Sequence, residues 1–361
     1  IAEGADNLFY KRIREALGLP LDQFVNVDGL DPDQLRLDMF SAKELNDQGI
    51  LSYFGYDYLG NEFDGTFDDF FTAEVDGVRT FPVAPNRPTY TAVYLQDKFT
   101  FRDIIFRLGL RVDRYDANTR VLKDNYSLYE IMGADQYHLE DGSAKPGNIG
   151  DDYKVYLDET GSAVQAYRDG DQWYKGDGTP VNSAIEIEGI RTGLVNPKFV
   201  YEQVQDDPNF IKSRDFDLNA SFTDYEPEIN IMPRLAFSFP ISEDANFFAH
   251  YDILVQRPAS NTLATPLNYF YFIDGASNLI NNPNLRPERT IDYEVGFQQK
   301  LSQTSALKIS AYYKEMRDMI QSRTFFRVPF VNQYTTYNNQ DVGAVMGFSL
   351  LYGLRRTGNF S

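Results

Sequence analysis

A chain of 361 residues is long enough for one large domain or two ordinary ones, and its net charge of -19 excludes nucleic acid as a partner, because binding a polyanion requires clustered Lys and Arg. The chain has no Cys and only two His, which excludes Cys-based zinc sites and leaves little for a His-based catalytic triad. No apolar run reaches about 18 residues, so a transmembrane helix is excluded as well. We therefore expect a protein that is not an enzyme and that holds no cofactor.

The first ninety residues predict a loop region with short helices. A helix is expected at Phe9–Leu17, because Gly18 and Pro20 follow it and both end helices. A second helix is expected after Ser41, since Ser41 and Glu44 have the spacing of a capping box.

From Thr91 onward, apolar residues recur at every second position, which indicates strands with one apolar face. In Ile104–Asp113, for example, Phe106 and Leu108 alternate with Arg107. The 28 Phe and 25 Tyr of the chain favour such half-buried strands. The predicted strands are Thr91–Phe99, Ile104–Asp113, one near Ile231, Asn246–Gln256, Thr290–Gln299, Ala306–Asp318 and Val342–Leu354.

The predicted connections alternate between short and long. Short turns are expected near Arg102, Asp244 and Gln303, and at Arg355–Asn359. A soluble β-sandwich has no reason to place every long connection at one end, whereas outer-membrane barrels have short periplasmic turns and long extracellular loops. We therefore predict an all-β fold: a partial transmembrane antiparallel β-barrel of about seven or more strands over 91–361. The predicted extracellular segments are 1–90, 114–230, 257–289 and 319–340.

In such a barrel, the apolar face of each strand meets lipid and the polar face meets the lumen. The residues predicted to face lipid are Phe106, Leu108, Leu110, Phe237, Phe297, Ile309 and Phe348. The candidates for the lumen wall are Arg107, Arg111, Arg234, His250, Asp252, Glu294 and Lys308.

The long loops carry the candidate cargo ligands, which are clustered aromatic and acidic residues. Aromatic faces stack on sugars and carboxylates accept hydroxyl protons, but the same groups suit basic peptides or metal chelates. Asp169 and Asp171 begin like a calcium-binding loop, yet Pro180 stands where a bidentate Glu is needed, so a solvated acidic loop is favoured. The loop candidates are Tyr56, Tyr58, Asp171, Trp173 and Tyr174.

One segment carries a family resemblance. Asn284-Leu-Arg-Pro-Glu288, followed by Tyr293-Glu-Val-Gly-Phe297, resembles the start of a strand in TonB-dependent receptors. Tyr53–Gly60 and Gly347–Arg356 also look like the acidic members of this family with large loops. The motif residues are Asn284, Leu285, Pro287 and Glu288. Physically, Pro283 and Pro287 cannot donate to a strand ladder, so strand pairing is expected only from about Glu288 onward. The motif therefore identifies the barrel better than the cargo.

The resemblance implies a location in the outer membrane of a Gram-negative bacterium and a complete barrel of roughly 22 strands filled by a plug domain. Neither plug nor TonB-binding segment is visible in this chain, so we expect a fragment of a larger protein. The implied function is TonB-dependent uptake of a scarce nutrient captured by loops and plug. The expected partners are TonB (through a plug segment outside this chain), outer-membrane lipid, a small-molecule, sugar or peptide cargo, and a surface-exposed lipoprotein or other protein.

Two other functions remain open at this point. One is a structural or adhesive barrel whose loops bind a partner protein, and the other is a passive porin. The lumen candidates have an alternative role too, as a polar wall paired with the plug by salt bridges.

Overall fold

A computed structural model describes residues 7–47, 51, 53–138, 142, 144–207, 209–258, 263–273, 279–326 and 333–355. Apart from Arg355, the turn predicted at Arg355–Asn359 lies outside them. No helix of the described residues is long and apolar enough to cross a membrane. The helices are α1 (Phe9–Leu17), α2 (Ala42–Asp47), α3 (Asp69–Thr72), α4 (Glu202–Asp206), α5 (Leu218–Ser221) and α6 (Pro266–Phe270), and short 3-10 turns lie at Val27–Gly29, Pro32–Gln34, Leu37–Met39, Ala184–Glu186 and Phe210–Lys212.

The first two helices have the boundaries that their sequences predict. Helix α1 ends at Gly18, which adopts the left-handed conformation with φ of 66°. Helix α2 follows a capping box, in which the Glu44 backbone N–H donates to Ser41 Oγ at 3.1 Å and the Ser41 backbone N–H donates to Glu44 Oε2 at 2.8 Å. Glu44 also accepts the Phe9 backbone N–H at 3.1 Å, so one carboxylate joins both helix starts.

Seven long antiparallel strands form the main sheet, and each pairs with its neighbour in chain order. A short eighth strand, β14, joins the far edge in parallel to β17. The strands of the chain are β1 (Glu74–Val75), β2 (Val78–Arg79), β3 (Thr89–Phe101), β4 (Ile104–Asp116), β5 (Arg120–Leu122), β6 (Lys154–Leu157), β7 (Val164–Asp169), β8 (Gln172–Lys175), β9 (Pro180–Val181), β10 (Asn196–Pro197), β11 (Phe222–Asp224), β12 (Glu228–Ser242), β13 (Ala245–Gln256), β14 (Leu279–Ile280), β15 (Glu288–Lys300), β16 (Ser305–Phe326) and β17 (Gln333–Leu354).

The main sheet, with strand order β14-β17-β16-β15-β13-β12-β4-β3, has the character of an arc of a larger barrel. Its long strands have 12 to 22 residues, and a transmembrane strand needs only about 9–11. Among the described residues, the outer edge of β3 has no neighbouring strand, and all 13 residues of β3 are exposed. The sheet is therefore open, as expected for a partial barrel, and the all-β prediction is confirmed.

The prediction of a loop at 319–340 is largely wrong, because strands β16 and β17 extend into this segment. Their ladder is interrupted by a bulge between Met316 and Ile320, where Asp318 has a φ of 55°, and then resumes up to the Phe326–Gln333 pair. The extension persists because Phe325 and Tyr334 are buried in an apolar core outside the sheet. Burial of these rings stabilises strand pairing that alternation alone did not predict.

That core belongs to a folded unit, which we call the loop domain and define as residues 53–88, 117–227 and 263–273. Its five-stranded sheet has the order β10-β6-β7-β8-β9. The long loops therefore form a packed domain rather than a solvated surface, around a core that includes Tyr126, Tyr156, Trp173, Ile190, Phe199, Phe222, Tyr269 and Phe325.

Candidate functional site

The strand register places all seven candidates for the lumen wall on one face of the main sheet. Arg234, Asp252, Asp292 and Lys314 are consecutive cross-strand partners in one row. The neighbouring row contains Arg107 on β4, with His250 on β13 and Glu294 on β15. Arg111 lies on the same face of β4 as Arg107, and Lys308 lies on the same face of β16 as Lys314. We call this face the polar wall.

Several charges of the polar wall are paired within it. The Lys314 ammonium donates to Asp292 Oδ2 at 2.7 Å, and His250 Nδ1 lies 3.8 Å from Glu294 Oε2. The Lys308 ammonium lies 4.6 Å from the centre of the Phe248 ring, within the range of a cation–π contact. These contacts hold long side chains against the sheet.

The three arginines of the polar wall have different surroundings. Arg111 Nε donates to Asp113 Oδ1 at 2.7 Å and its Nη2 donates to the Tyr90 hydroxyl at 2.9 Å, so its acidic partner lies on its own strand. Arg107 and Arg234 make no ion pair with any part of the chain that the structure describes. Their charge is directed to whatever occupies the space in front of the wall.

A polar recess of about 340 Å³ lies at the loop-domain end of the polar wall. Glu228 lines this recess, and it lies on the same face of β12 as Arg234. We call it the asparagine recess. Burial raises the pKa of the Tyr225 hydroxyl, which is buried without a hydrogen-bond partner among the described residues. The recess is lined by Asn125, Tyr225, Glu226, Pro227, Glu228, Asn282, Asn284, Arg286, Asn338 and Asn339.

A larger cavity of about 580 Å³ lies beside the asparagine recess and shares Tyr225 with it. Both arginines of its lining, Arg87 and Arg120, are paired with carboxylates of the same lining. Arg120 donates to both carboxylate oxygens of Asp68, at 3.0 and 2.7 Å, and its Nε lies 3.4 Å from Asp224 Oδ1.

Two of the loop candidates have structural roles. Trp173 is only 1% exposed, and its ring packs against Tyr126 and Tyr156 at centroid distances of 5.6 and 4.7 Å. Asp171 accepts from Arg323 at 2.7 and 2.9 Å, which joins the loop domain to β16. The expectation that Trp173 stacks on cargo is thus wrong, because its faces are covered by neighbouring rings.

The remaining loop candidates have different surroundings. Tyr56 is 43% exposed and forms bridges to Glu62 and Val83. Tyr58 packs on the small core around Phe70 and Phe81. Tyr174 is half-buried beside Tyr153, with ring centroids 5.3 Å apart. The structure therefore does not bring the five loop candidates together into one site.

The strand-start motif is held by hydrogen bonds to the extension of β16 and β17. The Arg286 backbone N–H donates to Asn339 Oδ1 at 2.8 Å, and Glu288 Oε1 accepts the Ile320 backbone N–H at 2.9 Å. Leu285 and Pro287 are buried, whereas Asn284 is exposed in the asparagine recess. Strand β15 begins at Glu288, as the two prolines predict.

Sequence reasoning missed Tyr225, Glu226, Asn338 and Asn339 as site residues. The sequence offered no signal for the two asparagines, because Asn338 and Asn339 lie in a segment predicted as a loop, where Asn is common. In the structure, Asn339 accepts the Arg286 backbone N–H and donates to the Arg286 carbonyl. Among the described residues, no group of three or more His, Cys, Asp or Glu could hold a metal ion.

A prediction follows for the Asp171–Arg323 pair. Burial raises the pKa of Asp171, but the hydrogen bonds from Arg323 outweigh it, so that the pKa lies below its ordinary value. A depressed pKa stabilises the folded state above the unfolded value of about 3.9, and this stabilisation is lost as the pH falls through the folded pKa. Asp171→Asn should remove an acid-dependent contribution of about 1 kcal/mol or less, since Asp171 is largely exposed.

Hydrogen exchange of β7 and β8 between about pH 5 and pH 3 measures this contribution. Asp169→Asn is the matched control, because Asp169 lies in the same hairpin and makes no ion pair in the described chain. The prediction fails if both variants retain the acid dependence of the unmodified protein.

Comparison with known proteins gives one family. A model of the TonB dependent receptor-like β-barrel matches residues 17–361. No curated protein matches the chain. Similar solved folds are the Serratia marcescens hemophore receptor HasR, as a double mutant in complex with its hemophore HasA and heme (14% identity, 74% of this chain and 32% of that chain, TM-score 0.39), and the FrpB iron transporter from Neisseria meningitidis, F3-3 variant (14% identity, 76% and 24%, TM-score 0.35).

A third similar fold is the ferric-catecholate import receptor Fiu from K12 E. coli, at 13% identity and a TM-score of 0.33, covering 75% of this chain and 26% of that chain. The chain thus spans a third or less of the length of these receptors, and the likeness concerns the fold alone. The family model, in contrast, matches nearly the whole chain. The chain belongs to the TonB-dependent receptor β-barrel family, whose members lie in the Gram-negative outer membrane.

Proposed function

We propose that the complete receptor takes up a scarce nutrient across the outer membrane with energy relayed by TonB, and that this chain supplies an arc of its barrel and part of its capture surface. The observation that carries the proposal is the continuity between the polar wall and the asparagine recess at its loop-domain end. A solute captured at the recess would have a polar route along the wall.

The unpaired charges of the wall support a partner inside the lumen. Arg107 and Arg234 need acidic partners if the lumen is crowded, because a buried guanidinium without a partner is costly. We propose that the plug domain provides these partners and that TonB acts through the plug. A surface-exposed lipoprotein remains a proposed partner of the loop domain.

The asparagine recess favours a cargo rich in hydroxyl or amide groups. The carboxylates of Glu226 and Glu228 can accept hydrogen bonds, and the side-chain amides of Asn125 and Asn284 can both donate and accept them. The side chains of Asn282 and Asn339 are already bound to backbone groups, so they shape the recess rather than offer free amides. Sugars and peptides both present suitable groups.

Solute depletion from the medium tests this function. Cells with the receptor gene intact should deplete specific solutes, and deletion of that gene, deletion of the TonB gene or a proton uncoupler should each abolish the depletion. Depletion that persists without TonB would identify a passive porin. If no solute depends on the receptor, while its loss abolishes attachment of a partner protein, the adhesive alternative would be correct.

Variants of the receptor locate the route. Arg107→Ala combined with Arg234→Ala should reduce uptake roughly tenfold or more, because removal of one member of a buried charged contact costs about 2 kcal/mol or more. Arg36→Ala is the control, since Arg36 is exposed and does not belong to the main sheet. Equal uptake by both variants would contradict the proposed role of the wall.

A further inference from the structure

A second pocket, separate from the polar wall, lies in the loop domain and has aromatic walls. Its volume is about 210 Å³. The rings of Tyr129, Phe210 and Phe216 have mutual centroid distances of 6.3 to 6.5 Å and stand at 60 to 81° to one another. The three rings therefore pack edge to face with one another and together line the pocket. We call this the aromatic pocket.

The rim of the aromatic pocket is acidic. Glu130, Asp215 and Asp217 line it and are all exposed. Among the described residues that line the pocket there is no Lys, Arg or His, so these do not neutralise the three carboxylates. Asp217 is oriented by the Asn219 backbone N–H, which donates to its Oδ1 at 2.9 Å.

The two neighbouring cations in the chain are engaged elsewhere. The Lys212 ammonium lies over the ring of Tyr271, 4.9 Å from its centre. Arg214 pairs with Glu74 and donates to the Gly77 carbonyl at 2.8 Å. Local sequence therefore places positive charges beside the pocket, but the fold directs them to other partners.

The pocket wall is preorganised by backbone hydrogen bonding. The Ile211 backbone N–H donates to the Tyr129 hydroxyl at 3.0 Å, which fixes the ring of Tyr129 against the 3-10 turn that carries Phe210. Tyr129 itself is 4% exposed. A rigid aromatic wall binds a ligand with little loss of side-chain entropy.

We propose that the aromatic pocket binds an organic cation, in particular an alkylated ammonium group such as the trimethylammonium of choline. Aromatic ring faces attract such cations, and the apolar methyl groups lose little hydration when they are buried. The carboxylate rim attracts positive charge and disfavours anions. The three carboxylates of the rim are not grouped as a metal site, since no cluster of His, Cys, Asp or Glu in the described part of the chain could hold a metal ion.

Calorimetric titration of the complete receptor in detergent with choline chloride tests the proposal without any transport step. The reference ligand is 3,3-dimethyl-1-butanol, which has the shape of choline but no charge. We expect saturable binding of choline at one site and at least roughly tenfold weaker binding of the alcohol. Equal binding of the two ligands, or no binding of choline, would overturn the proposal.

Two variants assign the binding to this pocket. Phe216→Leu keeps an apolar side chain but removes one ring, and should weaken choline binding by about fivefold or more. The double variant Asp215→Asn and Asp217→Asn should weaken it to a similar extent, and this change at exposed positions leaves the core intact. The control is Asp151→Asn with Asp152→Asn, an exposed acidic pair elsewhere in the loop domain.

The rim variant keeps the test valid if Phe216→Leu misfolds. Unchanged binding in the rim variant would show that choline binds elsewhere and would refute the assignment. Since binding is measured without TonB, a receptor that binds choline but transports nothing refutes the proposed function alone. A receptor that transports a solute but does not bind choline refutes this inference alone.

Discussion

Arg168→Met is expected to lower the free energy of unfolding of the loop domain by about 3–5 kcal/mol, because removal of one member of a buried ion pair leaves the other charge uncompensated. Arg168 is 3% exposed and pairs with Asp124. Its Nε donates to the Tyr156 hydroxyl at 2.9 Å, and its guanidinium lies 4.4 Å from the centre of the Tyr126 ring. Burial lowers the pKa of Arg168, but Tyr156 and Asp124 outweigh burial and raise it.

Hydrogen exchange of β6, β7 and β8 in the complete receptor measures this loss, since local opening free energies are read from exchange rates. Arg36→Met is the matched control. The Arg36–Asp38 pair has an N–O distance of 3.2 Å with both side chains largely exposed, so its loss should cost less than about 1 kcal/mol. Similar small losses in both variants would show that Arg168 does not hold the loop domain together.

Leu108→Arg is expected to destabilise the folded barrel by about 2–4 kcal/mol if the site lies near the bilayer midplane, because a charge on the lipid face must be desolvated. Leu108 pairs with Asp97 on β3 and Leu235 on β12, and it has the opposite parity to Arg107. Asp97 shares this face and, as the cross-strand partner of Leu108, lies at about the same depth, where it can pair with an Arg at position 108 and favours the lower end of this range.

Reversible folding of the complete receptor into lipid vesicles provides the measurement. Gln96→Arg is the control, because Gln96 lies on the polar face of β3 opposite Gly109, at nearly the same depth as Leu108, and is exposed. We expect the control to cost little, since the lumen side admits polar groups. A near-zero cost for Leu108→Arg would show that this face does not contact lipid.

The strand pattern could be predicted because each strand repeats the same constraint at every second residue. Ile104–Asp113 alternates apolar and polar residues, and β4 spans Ile104–Asp116. The same alternation predicted that Arg107, His250 and Glu294 lie on one face of the sheet, because side chains directly opposite each other on paired strands point to the same face. Strand β15 likewise begins at Glu288, because Pro283 and Pro287 have no backbone N–H to donate in a strand hydrogen bond.

The sites could not be predicted from spacing in the same way, because they join residues that are distant in sequence. The asparagine recess brings Asn125 beside Asn284 and Asn338. The aromatic pocket brings Tyr129 to within 6.5 Å of Phe210. No local period relates such positions, and contact between them depends on how the loops fold over the sheet.

What the sequence determined by itself was the period of two, the alternation of short turns with long segments, and the strand-start motif, and from these follow the barrel and its family. Only the tertiary structure decided what the long segments do. Trp173 was expected to offer a face to cargo, but the packing of Tyr126 and Tyr156 buries it. Strands β16 and β17 extend beyond their predicted ends because Phe325 and Tyr334 are buried in the core of the loop domain. Such apolar burial depends on long-range contacts, which a local sequence pattern does not contain.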